Sequence, residues 1–106
     1  MSPARPTDTD LDNLIDEITV DAHDQDEQLT GFEAAFDEEA SFPCPGTVVG
    51  EQVQVLSVSR GDNRQELIAT CQRDGRRYEI ALLDIELNAD HNTSRLIAAY
   101  HRWAGT

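Results

Sequence analysis

The chain has 106 residues, 39% of them hydrophobic, and a formal net charge of −13 at pH 7. Its length and composition predict one domain, residues 1–106, with one modest hydrophobic core. The acidic balance argues against binding to nucleic-acid backbones, which requires clustered basic residues, and because no run of about 18 apolar residues occurs, no membrane span is predicted.

The negative charge is concentrated in the first part of the chain. Residues 1–43 contain 13 acidic residues and one arginine, whereas residues 44–106 contain 8 acidic residues and 7 arginines. Such a concentration of like charge repels itself unless solvent, a cation or a basic partner compensates it. The first part of the chain is therefore the place to look for a binding function.

Two acidic helices are predicted in residues 8–42. The first has its apolar residues at the spacing of one helical stripe: Leu11, Leu14, Ile15 and Ile18. Thr9 or Asp10 can cap its start. The β-branched pair that follows, Thr19 and Val20, weakens a helix and predicts a break near Asp21.

The second helix is predicted over residues 22–39. One face carries its apolar residues: Ala22, Leu29, Phe32 and Phe36. Gly31 interrupts the helix at a cost of about 1 kcal/mol relative to alanine, which is best explained if another helical face meets it there. Pro43 and Pro45 end the helix and begin a loop.

A β-rich part is predicted over residues 46–83, where the apolar period changes from helical to alternating. The predicted strands are residues 47–49, 52–59, 66–73 and 76–82, the second with an irregular register near Leu56. Gly50-Glu51 reads as a turn, and Asp74-Gly75 is a strong type I′ hairpin signal. Short strands joined by tight turns predict a small SH3-like antiparallel barrel or sheet.

A C-terminal helix is predicted over residues 92–104. Asn92, Thr93 or Ser94 can cap it, and Gly105 ends it. Its apolar face is formed by Leu96, Ile97, Tyr100 and Trp103. Before it, residues 84–87 are expected to form a short extended or turn segment. The predicted fold class is therefore α+β, with two N-terminal acidic helices, the small antiparallel barrel or sheet, and this C-terminal helix.

Cys44 and Cys71 are too few for a structural zinc site, which needs about four ligands. We interpret both as small, half-buried free thiols in a reducing compartment, although the sequence does not exclude a disulfide between them.

The first ten residues, MSPARPTDTD, lack the apolar core segment of a secretory signal. These observations predict a cytoplasmic location.

Ca²⁺ is a candidate ion for the acidic part, because it takes about 6–8 oxygen ligands from carboxylates, carbonyls and water. Asp21, Asp24 and Glu27 follow one another at a spacing that can place them on one side of a helix or its start. Asp37 and Glu38 lie at the other end, before the loop, and a helical hairpin could bring the two groups together. The alternative is an acidic helix face that only contacts solvent.

Other oxygen-rich spacings carry less information. The acids at positions 8, 10, 12 and 16 imitate an EF-hand loop, but Asn13 stands where glycine is needed and Thr19 where a bidentate glutamate is needed. Helix-start acids explain them better. Residues 84–90 hold a second spaced cluster that reads as a polar connector. No catalytic frame is recognisable among the acids, histidines and serines, so the protein is not predicted to be an enzyme.

The segment VDAHDQDEQLTGF (residues 20–32), followed by Phe36-Asp37-Glu38 and Phe42-Pro43, resembles the signature of the CcbP-type bacterial calcium-binding proteins. That signature runs V-D-A-Y-[DE]-x-x-E-Q-x-x-G-[FW], then L-E-D, then F-P-F. This chain departs from it at His23, Ala40 and Cys44, where the family has aromatic or apolar residues. These departures concern packing more than metal ligands.

The resemblance implies Ca²⁺ binding through acidic residues without an EF-hand, and Ca²⁺ buffering. Carried over to this sequence, the metal-ligand candidates are Asp21, Asp24, Glu27, Asp37 and Glu38. Gln28 and Gly31 would have structural roles. The alternative hypothesis is an acidic interaction module that docks a basic protein partner. A hydrolase that uses two acids is a third and weaker alternative, and neither the oligomeric state nor the ion affinity follows from the sequence.

Overall fold

The structure, a computed structural model, describes residues 7–60, 66–87 and 90–105. Its elements in chain order are α1 (Asp8–Ile18), α2 (Gln25–Glu39), β1 (Cys44–Val48), β2 (Glu51–Arg60), β3 (Leu67–Arg73), β4 (Arg76–Ala81), a 3₁₀ turn (Leu82–Asp84), β5 (Glu86–Leu87) and α3 (His91–Ala104). The predicted α+β class and its three helices are confirmed. None of the helices in these ranges has the length and apolar character needed to cross a membrane.

The first two helices begin at other residues than predicted. Thr7, not Thr9 or Asp10, caps α1, since its Oγ1 accepts the N–H of Asp10 at 3.1 Å. In α2 the cap is Asp24, so the helix begins at Gln25 and not at residue 22. The predicted break is confirmed, because residues 19–21 form a turn between α1 and α2. Local backbone geometry selects one cap among several polar residues that could serve.

The third helix begins at His91, one residue earlier than predicted. Asp90 caps it, and its Oδ1 accepts the N–H of Thr93 at 2.8 Å, so the predicted caps Asn92, Thr93 and Ser94 are wrong. Thr93 is instead buried, where its hydroxyl accepts the N–H of Ser41 at 3.0 Å. Gly105 ends the helix with φ of 84°, as predicted.

The first strand starts earlier than predicted and includes Pro45. It runs from Cys44, and Val49 and Gly50 form the following turn with φ of 50° and 81°, so the predicted Gly50-Glu51 turn is off by one residue. Pro45 is tolerated because its nitrogen points away from β2, to which it is paired opposite Gln54. The proline therefore removes no hydrogen bond from the β1–β2 ladder.

The five strands form one antiparallel sheet in the order β4-β3-β2-β1-β5. The register shifts between Val55 and Ser57, which confirms the irregularity near Leu56, and Asp74-Gly75 is the predicted two-residue turn, with φ of 52° and 75°. The sheet is open: within the described residues β4 and β5 lie at its two edges and do not pair with each other. The predicted SH3-like barrel is therefore not confirmed, because the short strands do not close on themselves.

The core forms where α2 and α3 pack against β2 and β3. The side chains of Phe32, Phe36 and Tyr100 are buried, and the rings of Phe32 and Tyr100 meet edge to face at 5.6 Å. The Tyr100 hydroxyl accepts the N–H of Leu67 at 2.9 Å, which joins α3 to β3. Trp103 packs on Phe32 at 5.2 Å. This arrangement leaves α1 and the outer surface of α2 available for the acidic residues.

The two cysteines are free and buried. Cys44 and Cys71 lie in one row across three strands, since both are paired with Val55, which stands between them. Two strand spacings separate them by about 10 Å. A disulfide needs Cα atoms within about 7 Å, so this geometry excludes the Cys44–Cys71 bridge that the sequence left open.

Candidate metal centre

The first group of predicted ligands lies at the start of α2. Asp24 Oδ1 accepts the N–H of Glu27 at 2.8 Å, and Glu27 Oε2 accepts the N–H of His23 at 2.8 Å. This reciprocal pair resembles a capping box and occupies one oxygen of each carboxylate. Asp21 lies in the preceding turn and is exposed. Two of the three predicted ligands therefore stabilise the helix start.

The second group lies in the last turn of α2. Asp37 and Glu38 are exposed and are followed by a third acid, Glu39, while that turn contains no basic residue. Consecutive residues of a helix point about 100° apart. Asp37 and Glu38 therefore face different directions and do not form a pair on one surface.

The structure does not bring the two groups together. Asp24 and Asp37 are 13 positions apart on one helix, which corresponds to about 20 Å along its axis. Within residues 7–60, 66–87 and 90–105, no three His, Cys, Asp or Glu side chains are grouped closely enough to hold a metal ion. One ion cannot therefore bind both groups, because they lie at opposite ends of the same helix.

A cleft between α1 and α2 collects a different set of acids. Its cavity is about 300 Å³ and is lined by Leu14, Glu17, Ile18, Gly31, Ala34, Ala35, Glu38 and Glu39. Gly31 allows the two helices to approach, because a Cβ on it would be 2.6 Å from the carbonyl oxygen of Ile18. The cleft contains three acids, Glu17, Glu38 and Glu39, which we call the cleft glutamates. Of these, the sequence identified only Glu38.

The sequence did not identify Glu17 and Glu39 as candidate ligands, because the residues next to them in the sequence do not show that they share a surface with Glu38. The signal that could have found Glu17 is Gly31, whose small size indicated a helix crossing. If the last turn of α1 is placed at that crossing, Glu17 and Glu38 come to the same side. Only the packed fold shows that the element crossing α2 at Gly31 is α1.

Two arginines contact four of the other acids of the two helices: Asp8, Asp12, Asp26 and Glu33. The Arg102 side chain of α3 donates to Asp12 at 2.7 Å and lies 3.4 Å from Asp8. Its hydrogen bond is the main cause of a lowered pKa of Asp12. The acids that imitated an EF-hand loop therefore belong to a regular helix that is tied to α3.

Arg60, at the end of β2, compensates the central part of α2. Its guanidinium donates to Asp26 and to the Thr30 hydroxyl, and its backbone N–H donates to Glu33 at 2.6 Å. The hydrogen bond from Arg60 lowers the pKa of Asp26. Among the described residues, the cleft glutamates form no such ion pair.

The polar cluster of residues 84–90 also has a structural role at its last residue. Asp90 caps α3 and accepts the Ser41 hydroxyl at 2.8 Å. Asp84 and Glu86 are exposed, and Asn88 lies outside the described residues. The cluster does not supply a second collection of converging carboxylates in the described part of the chain.

Comparison with known proteins identifies the chain's relatives. The family model Calci_bind_CcbP, described as calcium binding, matches residues 12–104. The crystal structure of Anabaena CcbP is similar, with a TM-score of 0.79 and 26% sequence identity over 98% of this chain and 95% of that chain. A calcium-binding protein in the calcium-binding form matches with a TM-score of 0.77, 26% identity and the same coverage. Comparison with curated protein sequences gives no match.

The three observations agree with one another. The acidic signature of residues 20–43, the three-helix and five-strand fold, and the family match describe the same kind of protein. Because the family model covers nearly the whole chain, this protein belongs to the CcbP family of calcium-binding proteins.

Proposed function

We propose that this protein binds Ca²⁺ in the cleft between α1 and α2, with the cleft glutamates as ligands, and acts as a cytosolic Ca²⁺ buffer. The observation that carries the proposal is the cleft itself. Three glutamates line one cavity of about 300 Å³, and the helix turns that supply them contain no basic residue. The family match and the similar structure in its calcium-binding form support Ca²⁺ as the ion.

Helix dipoles make the cleft attractive to a cation. Glu17 lies in the last turn of α1, and Glu38 and Glu39 lie in the last turn of α2. The C-terminal end of a helix carries a partial negative charge, so acidic side chains there are unfavourable and cations are favourable. Both helices therefore add negative potential to that of the three carboxylates. A bound divalent cation would remove this repulsion.

The donor set suits Ca²⁺. Three carboxylates supply up to about six oxygens, and water can complete the six to eight ligands that Ca²⁺ takes. The glutamates are exposed and long, so their side chains can rotate towards a common ion. A flexible, open site is a poor match for Mg²⁺, which requires a strict octahedron and keeps its water.

The same flexibility limits the affinity. The carboxylates do not converge at coordinating distance within the described residues, so binding must fix three side chains that are free to rotate. A site of modest affinity follows, which suits a buffer that takes up and releases Ca²⁺ over a wide range of concentration.

The other predicted ligands have different roles in this proposal. Asp37 faces away from the cleft and contributes negative potential. Asp21, Asp24 and Glu27 stay a prediction for a second, weaker site. The start of α2 carries a partial positive charge that disfavours a cation, and the capping bonds of Asp24 and Glu27 would compete with metal binding.

The test is calorimetric titration of Ca²⁺ into EDTA-stripped protein, with parallel titrations of Mg²⁺ and at high salt. We expect saturable heat that survives salt and exceeds the heat with Mg²⁺. A double variant, Glu17→Gln with Glu38→Gln, should abolish it, because it removes two of the three charged ligands while preserving side-chain size.

The matched control is Asp24→Asn with Glu27→Gln, which removes the same amount of charge at the other end of α2. Asparagine still caps a helix, so this control should fold and retain the saturable heat. If the control loses the heat and the cleft variant keeps it, the ion binds at the start of α2. Heat that salt abolishes in every protein would mean that the acidic helices are only a charged surface, suited to a basic partner.

A further inference from the structure

Strand β4 is the longer free edge of the sheet. It pairs with β3 in continuous register, from Ile68 opposite Ala81 to Arg73 opposite Arg76, and no other strand of the described chain lies along its outer side. The opposite edge, β5, has only two residues. An edge strand presents unpaired N–H and C=O groups, which form a template for a further strand.

Two of the usual protections of an edge strand, a proline and a β-bulge, are missing from β4. Its charged residues also differ in sign. Arg77 and Glu79 are exposed and lie on one face of the strand, where their neighbours in β3 are the uncharged Gln72 and Thr70. Neither has a salt bridge among the described residues.

The backbone of the same two residues faces the free edge. Because the Asp74-Gly75 turn has two residues, Arg73 and Arg76 form the hydrogen-bonded pair next to it. Hydrogen-bonded and non-hydrogen-bonded pairs alternate along an antiparallel ladder. The N–H and C=O groups of Arg77 and Glu79 therefore point outwards, where another strand could pair with them.

We propose that β4 pairs antiparallel with β4 of a second copy of this chain, with Tyr78 opposite Tyr78 across a twofold axis. In this register Arg77 of each copy lies opposite Glu79 of the other, so the charge pattern complements itself. A shift of two residues either way places Arg77 opposite Arg77 or Glu79 opposite Glu79, which like-charge repulsion disfavours. The strand's sequence thus selects one register.

The charge distribution of the chain suits this mode of association. Residues 44–106, which contain the whole sheet and α3, have 8 acidic residues and 7 arginines and are nearly neutral, whereas the acidic excess lies in residues 1–43. Helix α2 packs on β2, two strands from β4. At physiological ionic strength, screening over about 8 Å limits the repulsion between the acidic parts of the two copies.

The dimer is expected to be weak. A six-residue edge contact is small beside the roughly 1,000 Å² or more of a stable interface, so dissociation constants in the micromolar range or above follow.

The test is sedimentation equilibrium from micromolar to millimolar protein in calcium-free buffer at physiological salt. We expect the wild type to show a monomer–dimer equilibrium. Arg77→Glu and Glu79→Arg should each weaken it by about tenfold or more, since each turns two attractive pairs into repulsive ones. The double exchange, Arg77→Glu with Glu79→Arg, should restore it. Glu86→Arg, on the opposite edge, makes the same charge change as Glu79→Arg and should have little effect.

Cross-linking tests the register independently. Under mild oxidation Tyr78→Cys, made together with Cys71→Ala because Cys71 is paired with residue 78 across β3 and β4, should form a disulfide-linked dimer, because residues directly opposite in a non-hydrogen-bonded pair bring their Cβ atoms within about 5.5 Å. Ile80→Cys lies on the same face but opposite Arg76, and should not cross-link. If the wild type is monomeric throughout the concentration range, the proposal is wrong. If the single charge reversals weaken the dimer but the double exchange does not restore it, the proposed register is wrong. Circular dichroism confirms that each variant is folded.

Discussion

Gly31 of α2 lies directly against the carbonyl oxygen of Ile18 at the end of α1, where a Cβ would be only 2.6 Å from that oxygen. No real Cβ contact is so short, so an alanine here must push the helices apart. The crossing forms the floor of the cleft that holds Glu17 and Glu38. One glycine thus determines how closely these two acids approach.

Gly31→Ala should destabilise the protein by about 1–2 kcal/mol. Overpacking costs about 1–3 kcal/mol, and the better helix propensity of alanine returns up to about 1 kcal/mol. Urea denaturation measures the change. Ala34→Gly, an exposed position of the same helix, is the control and should show the ordinary cost of glycine. A stabilised Gly31→Ala variant would show that the helices do not meet at this residue.

Tyr100→Phe should lower the free energy of unfolding by about 1–3 kcal/mol. The Tyr100 hydroxyl is the acceptor for the N–H of Leu67, and both residues are buried. Without the hydroxyl, a backbone donor in the core has no partner in the described structure. Tyr78→Phe, which removes the hydroxyl of a partly exposed tyrosine, is the matched control and should change stability little. Equal effects in the two variants would contradict this assignment.

The stabilising effect of Asp90 should disappear in acid. Its pKa is lowered chiefly by the hydrogen bond from the Thr93 N–H, with further bonds from the Thr93 and Ser41 side chains. Because the folded pKa lies below the unfolded value of about 3.9, the ionised carboxylate stabilises the fold above that pH. The contribution is lost as the pH falls through the folded pKa.

The measurement is the difference in urea midpoint between the wild type and Asp90→Ala from neutral pH downwards. We expect a constant difference near neutrality that shrinks below about pH 4. Other carboxylates, such as Asp12 and Asp26, become protonated in both proteins as the pH falls, so their effects on stability cancel in the difference. A difference that does not vary with pH would mean that the charge of Asp90 is unimportant to the cap.

Cys44 and Cys71 should remain separate thiols under oxidising conditions. Burial is the main cause of the raised pKa of both thiols, which keeps them protonated at neutral pH. Both should therefore react slowly with a thiol reagent in the folded protein and rapidly after denaturation. Mass spectrometry after oxidation and alkylation counts the free thiols. A monomer that lacks two hydrogens would contradict the strand register that separates the two residues.

Local patterns in the sequence predicted much of the fold. The stripe that starts at Leu11 predicted α1, and the Asp74-Gly75 pair predicted the β3–β4 turn, because helical periodicity and turn chemistry depend on residues only a few positions apart. Helix caps were predicted less well. Asp90 and Thr7 lie beside other capping residues, and the local pattern does not show which one the packed chain uses.

The acidic character of the first 43 residues, and the resemblance of residues 20–43 to calcium-binding proteins, were evident from the sequence alone. Tertiary structure decided which carboxylates are neighbours. The packing of α1 on α2 at Gly31 brings Glu17 to Glu38, while the length of α2 separates Asp24 from Asp37. The open edge of the sheet at β4 was likewise decided by tertiary structure, because it depends on pairing between segments that are distant in the sequence. Periodicity describes one segment at a time, whereas a binding site requires the relative placement of several, which only the packed core provides.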